Sequence, residues 1–306
     1  MRILVTGGCG YIGAVLLKTM IAAGHTVRCL DRHKLAFENS LDFHGDQHAR
    51  CEILVGDIRE RGDLQVALEG ADAVVNLAAI VGSPACAAWP EDARSINVEG
   101  ARLLARVAPP HVPMIHMSTC SVYGRTKERI CREDVQPHPI TLYGETKLQS
   151  EEAVLARGGV VLRAVTAYGP SPNPRFDLLL HTLIRFGLTK RRLRLFEPFA
   201  VRPMIHIEDI ARGLLFSLER FEAMSGKIYN LASDDGALTK MDLVTRVSEL
   251  TGLQVEIDEE RTDPDGRDYS IACCQIKKLG FKTNKPLDVG LRETTEWLNQ
   301  IISRDS

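Results

Sequence analysis

The sequence predicts an α/β protein built on a doubly wound parallel sheet, with a smaller α/β lobe after it. Three observations carry this. Short apolar runs alternate with helical patterns through the first half of the chain. Those runs are apolar along their whole length rather than at every second residue, the pattern of strands covered on both faces. A glycine-rich run lies between the first strand and the first helix. Together they describe a Rossmann-type domain over 1–168; a lobe over 169–306 is expected after it, with some chain, about 200–232, expected to cross back to the first domain.

The elements follow in order. Residues 2–6 (RILVT) form the first strand, and a helix runs from about Ile12 to Ala23, ended by Gly24. Strands follow at 26–30 and 51–55, a polar helix at 60–69 and a fourth strand at 73–77. A helix over 92–107 stops at Pro109-Pro110, and 112–118 makes the fifth strand. The helix over 142–156 ends at Gly158-Gly159, and 160–164 is the sixth strand. After Tyr168-Gly169-Pro170 the rhythm breaks into a proline-rich loop. Helices near 176–187, 208–221, 240–251 and 287–302 then alternate with short strands at 192–196 and 227–231.

Composition narrows the function. The chain has 306 residues, 44% hydrophobic and 25% charged, which excludes a disordered or low-complexity protein. A net charge of -2 argues against nucleic acid as the main partner, and Lys190-Arg191-Arg192-Leu193-Arg194 reads as a solvated turn. No apolar run reaches a membrane span, and the start lacks the charged segment of a signal peptide. Eight scattered cysteines without a C-x-x-C pair read as reduced thiols of a cytoplasmic protein, and no cluster has zinc spacing. No metal is expected, and His206 reads as structural.

The first strand ends in Thr6-Gly7-Gly8-Cys9-Gly10-Tyr11-Ile12-Gly13. Glycines between a buried strand and a helix let the backbone turn sharply and approach a pyrophosphate, which the helix N-terminus then receives. Asp31, at the end of the second strand, is placed to accept hydrogen bonds from adenosine ribose hydroxyls and favours NAD over NADP. Arg32 is the counter-signal, because an arginine there stacks on adenine or binds a 2′-phosphate. Asp57 and Ile58 follow the third strand, where a carboxylate meets the adenine amino group. Leu77, Ala78 and Ala79 follow the fourth, and their small side chains let the backbone pass close to the cofactor.

Tyr143 and Lys147 are four residues apart at the start of a helix and so share one face. The fifth strand runs into Ser118-Thr119-Cys120-Ser121-Val122-Tyr123-Gly124, and strand C-termini open into the ligand crevice of a doubly wound sheet. Thr119 and Tyr143 can therefore meet over a nicotinamide ring. A phenol has a pKa of about 10, so a neighbouring ammonium is needed to make it a base at neutral pH. Cys120 reads equally as a pocket residue and as a small buried hydrophobe.

In combination, TGGCGYIG, GDI at 56–58, NLAA at 76–79, Asn97, STCSVYG at 118–124, YGETK at 143–147, AYGP at 167–170 and RPMIHIEDIA at 202–211 resemble an extended short-chain dehydrogenase/reductase of the nucleotide-sugar epimerase/dehydratase group. The resemblance covers nearly the whole chain and is to UDP-galactose 4-epimerases in particular. It implies Thr119, Tyr143 and Lys147 as the catalytic triad, Asn97 as its support on the cofactor side, and a homodimer that pairs the helices around 92–107 and 142–156 across a two-fold axis. It also implies a nucleotide sugar held by Cys120, Ser121, Thr166, Arg202 and Arg267.

Two departures bear on the substrate. Thr166 stands where many members have an asparagine that contacts the diphosphate, and Arg202 is followed by Pro203 where an acidic residue is common. Dehydratases of this group carry a glutamate, often after an aspartate, just beyond the catalytic threonine; here the positions hold Cys120 and Ser121. The expectation is a 4-epimerase working through a transient 4-keto sugar. A 4,6-dehydratase, a 4-ketosugar reductase and a non-catalytic dinucleotide sensor are the alternatives.

Overall fold

The structure is a computed structural model that describes residues 1–33, 49–235, 237–262 and 266–304. The apolar runs of the first half become β1 (Arg2–Thr6), β2 (Thr26–Asp31), β3 (Cys51–Val55), β4 (Ala73–Asn76), β5 (Met114–Thr119) and, after the short β6 (Ile130–Cys131), β7 (Val160–Ala164). The chain then makes β8 (Thr166–Tyr168), β9 (Arg192–Leu195), β10 (Val201–His206) and β11 (Ile228–Leu231). A seven-stranded sheet forms in the order β11-β7-β5-β4-β1-β2-β3, and every pairing in it is parallel. Strands β1, β4, β5 and β7 are buried along nearly their whole length, whereas the edge strand β3 is partly exposed. The burial matches the unbroken apolar runs.

The helices packed about the main sheet are α1 (Tyr11–Ala22), α2 (Arg61–Leu68), α3 (Ser83–Ala88), α4 (Pro90–Arg94), α5 (Ala101–Val107), α6 (Leu142–Ala156) and, after α7 (Leu179–Thr189) of the smaller lobe, α8 (Ile207–Glu219). Helix α8 packs on α1 and feeds β11, so the chain returns from the smaller lobe to complete the sheet. The expected single helix over 92–107 is three segments: α4, a π-helical stretch from Ser95 to Gly100, and α5.

Two apolar clusters flank the sheet, one around Leu16, Met20, Ile115 and Leu214 and the other around Leu64, Leu104, Val112 and Val154. A third cluster, with Leu180, Ile184, Leu243, Leu287 and Leu291, is the core of the smaller lobe. That lobe also carries short sheets, β8-β10-β12 (Ala237–Thr239) and β9-β13 (Gln254–Ile257). Sheet order reverses between β1 and β4, so their C-terminal ends open the crevice where such folds take their ligands.

Candidate active site

At that reversal the chain makes a turn that only glycine fits. Gly7 has φ +71°, and a Cβ there would lie 2.7 Å from the Ala78 backbone. A Cβ on Gly13 would lie 2.5 Å from the Gly8 carbonyl. Gly10 caps α1 without a side-chain hydrogen bond, which leaves first-turn N–H groups facing the crevice. An anionic diphosphate fits this cradle, with the positive end of the helix dipole beneath it.

The crevice is a cavity of about 780 Å³. Its wall includes Gly7, Gly10, Tyr11, Ile12 and Gly13 at the turn, Asp31, Arg32, Asp57 and Ile58 at one end, and Leu77, Ala78 and Ala79 along the floor. Thr119, Ser121, Tyr143, Lys147, Thr166 and Arg267 line the other end. Most of the residues read from the sequence as cofactor or substrate contacts therefore meet on one surface.

At the first end Asp31 is fixed by backbone donors: its carboxylate accepts from Cys9 N–H at 3.0 Å and from His33 N–H at 3.2 Å. Asp57 receives the Arg59 guanidinium at 2.6 to 3.1 Å, and those hydrogen bonds hold its carboxyl below the usual range. Arg32, half exposed, stands 3.7 Å from Asp57.

At the other end α6 is started by Thr141, whose hydroxyl accepts from Gly144 N–H at 3.1 Å. The first turns of α6 then carry Tyr143 and Lys147. Burial pushes the Tyr143 phenol up to about 12, against the Thr119 hydrogen bond and the charges of Arg175 and Arg267. Burial likewise brings the Lys147 ammonium down to about 8, with Glu151 and Cys86 acting the other way. Lys147 Nζ lies 3.3 Å from Nε2 of His116, a fully buried imidazole that burial and the lysine charge hold well below its ordinary pKa. His116 Nε2 also meets Ser150 Oγ at 2.9 Å. Its Nδ1 faces the Asn76 amide at 3.1 Å, and Asn76 Oδ1 accepts from Thr6 at 2.7 Å. A neutral imidazole thus backs the lysine, held by a polar chain through three strands. His116 was not singled out in the sequence; its sign was a lone histidine in an apolar strand three residues before Thr119.

Three expected contacts sit behind the wall. Cys120 Sγ turns into the core, 3.2 Å from the Arg163 carbonyl, where burial pushes its thiol well up. Arg202 is buried too, and its guanidinium donates to the Val201 carbonyl at 3.0 Å and to the Arg267 carbonyl, so it holds the Arg267 segment. Asn97, from the π-helical stretch, accepts from Ile80 N–H at 2.7 Å and donates to the Ile80 carbonyl at 3.0 Å and to Thr146 at 3.1 Å. It positions the wall residue Ile80 rather than forming the wall.

The proline-rich loop supplies residues that sequence reading missed. Asn173, Arg175, Asp177 and Leu178 line the crevice, and the Arg175 charge acts on Tyr143. Tyr11 Oη donates to the Gly169 carbonyl at 2.8 Å, Ser171 Oγ to the Tyr11 carbonyl at 2.8 Å, and Asn173 Nδ2 to the Cys9 carbonyl at 2.8 Å. Arg175 grips Asp177 through two hydrogen bonds, which hold that carboxyl below its usual range.

A family model described as "NAD dependent epimerase/dehydratase family" matches residues 3–232. The chain is 28% identical to a UDP-glucose 4-epimerase of Corynebacterium glutamicum over 82% of its length and 81% of that protein's. Among solved structures it resembles a UDP-glucuronic acid 4-epimerase from Bacillus cereus in complex with UDP-glucuronic acid and NAD: 25% identity, TM-score 0.87, covering 98% of this chain and 100% of that one. It is equally close to a dTDP-glucose 4,6-dehydratase from Streptomyces venezuelae with NAD bound: 26% identity, TM-score 0.87, covering 99% and 98%.

Proposed function

The chain belongs to the NAD-dependent epimerase/dehydratase family, and from that membership we propose that it epimerises a nucleotide-activated sugar at C4 through a transient 4-keto sugar. NAD, when bound, supplies the hydride acceptor and donor. The protein's residues do the rest. Asp31 receives the ribose hydroxyls, and the glycine turn receives the diphosphate. Arg267 and Thr166 take the substrate's own diphosphate. Thr119 hydrogen-bonds the reacting sugar oxygen, Tyr143 takes its proton and later returns it, and Lys147 holds the ammonium charge that favours the phenolate. A phenol at about 12 is protonated at neutral pH, so positive charge must bring it down; Arg175 and Arg267 already pull that way.

One observation favours epimerisation over 4,6-dehydration. Removing water across C5 and C6 needs a base and an acid beside the sugar. At the catalytic end the positions after Thr119 offer a thiol turned into the core and a serine hydroxyl bonded to Thr119 at 3.1 Å. Among the described wall residues there, the one carboxylate is Asp177, which is tied to Arg175. Incubation with UDP- and dTDP-sugars should give a product of unchanged mass with one inverted carbon and no net use of cofactor. Loss of about 18 mass units would overturn the reading in favour of dehydration, and stoichiometric consumption of NADH or NADPH would point to a ketosugar reductase.

We further propose a cytoplasmic homodimer. Helices α5 and α6 lie side by side, a surface that a second copy could meet across a two-fold axis. No described helix is long and apolar enough to cross a membrane.

A further inference from the structure

Cys9 and Cys29 are twenty residues apart in the chain, yet their sulfurs lie 3.8 Å apart. Parallel pairing of β1 with β2 causes this: it sets Cys29 opposite Val5, beneath the turn that carries Cys9. Both thiols are buried, at different depths. Cys9, 5% exposed, belongs to the wall of the cofactor crevice, while Cys29 is wholly buried under Gly8. Both are coupled to binding residues. Cys9 N–H donates to the Asp31 carboxylate at 3.0 Å, and a Cβ added to Gly8 would lie 2.5 Å from Cys29 Sγ.

We propose that Cys9 and Cys29 form an oxidative modification site, which a hydroperoxide converts to a disulfide and whose closure weakens dinucleotide binding. The proposal needs only that the crevice take a dinucleotide; it does not depend on the sugar reaction. In the first step Cys9 sulfur attacks a peroxide oxygen, the O–O bond breaks, and the thiol proton leaves with the departing oxygen as water. Cys9 is then a sulfenic acid. In the second step Cys29 sulfur attacks Cys9 sulfur, the S–O bond breaks, and the oxygen departs as water with the Cys29 proton. Two thiols and one hydrogen peroxide give one disulfide and two waters. Cys29 suits the second role by position: it is wholly buried beneath the turn, and its sulfur already lies 3.8 Å from that of Cys9.

Closing the bond brings the sulfurs to about 2.05 Å. We infer that this approach, made in a packed site, shifts Cys29 beneath Gly8 or the Cys9 backbone beside Asp31. Each movement disturbs a surface the dinucleotide needs, the turn in one case and the ribose carboxylate in the other. The same geometry makes bound cofactor a shield for Cys9.

The test uses the full chain, reduced and freed of nucleotide, with hydrogen peroxide as the oxidant. Intact mass after alkylation of free thiols, a peptide map and NAD titration by calorimetry are the readouts. The expected result is a Cys9–Cys29 link with loss of about 2 mass units before alkylation, NAD affinity lower by about tenfold or more, and recovery with dithiothreitol. Saturating NAD should slow the linkage. Cys29→Ser, or Cys29→Ala should the serine variant fold poorly, should form no link and accumulate a dimedone-reactive Cys9. Cys51→Ser should behave as the parent does, although Cys51 is close enough to influence Cys29 electrostatically. A link through Cys51, no link at all, or a Cys9–Cys29 link with unchanged NAD affinity would overturn the proposal. Stoichiometric zinc on the reduced protein, lost in Cys29→Ser, would also overturn it and reassign the cluster of Cys9, Cys29 and Asp31 donors, all within 4.8 Å, to a metal.

Discussion

Lys147 is a lysine kept where a cation is costly. It is 3% exposed and titrates at about 8, below its ordinary value. The unfolded chain therefore binds the extra proton between about pH 8 and 10.5, so the penalty is fully present below 8 and fades as pH rises through that window. Lys147→Met should lose catalysis yet unfold at the same or a higher temperature than the parent at pH 7, with a gain of up to about 3 kcal/mol that shrinks toward pH 10. Calorimetric melts across that range check it. Tyr143→Phe keeps the ring and removes the proton acceptor, and should lower turnover by about 10²-fold or more while NAD still binds. Asp31→Ala should remove much of the preference for NAD over NADP in paired titrations; tighter NADP binding by the parent would show that Arg32 decides. These residues were legible because each lies in a local pattern: a glycine run, a strand end, a four-residue spacing. His116 and Cys120 were not. Which way a buried side chain turns in an apolar strand or the short turn after it depends on packing, and no periodicity records that.

The elements show the same division. Helix α6 matches the helix expected over 142–156, whose end the glycines after it mark; the structure adds the Thr141 cap. The helix expected over 92–107 was read as continuous because its apolar spacing gives no sign of a wider turn. The π-helical stretch there has a visible use: it carries Asn97, whose one amide satisfies both backbone groups of Ile80. Asn97→Ala would leave the Ile80 N–H without this partner and the Ile80 carbonyl with only the Cys86 thiol at 3.3 Å. It should cost about 2 kcal/mol or more in denaturant unfolding and also weaken NAD binding, since Ile80 lines the crevice. A variant with full cofactor affinity would show that the Ile80 segment holds itself. The proline-rich loop could be recognised as a loop, but nothing in its composition said that Asn173 and Arg175 return to the site.

At the scale of the molecule, light scattering at micromolar concentration should report a dimer, and a monomer would remove the claim made for α5 and α6. The fold was legible from the alternation of strands and helices. The chain expected to cross back over about 200–232 holds α8, which rests on α1, and β11, which pairs with β7 at the edge of the main sheet. The seam between the glycine turn and the proline-rich loop bears on how the protein is made. Its hydrogen bonds join residues 158, 160 and 164 positions apart. During translation the N-terminal turn leaves the ribosome with one wall of its pocket still unwritten. At about 5–20 residues per second, roughly ten to thirty seconds pass before the residues that close it exist. A nascent chain halted near residue 165 should therefore carry the whole glycine fingerprint yet hold nucleotide poorly, which makes cofactor capture a late event in this protein's synthesis.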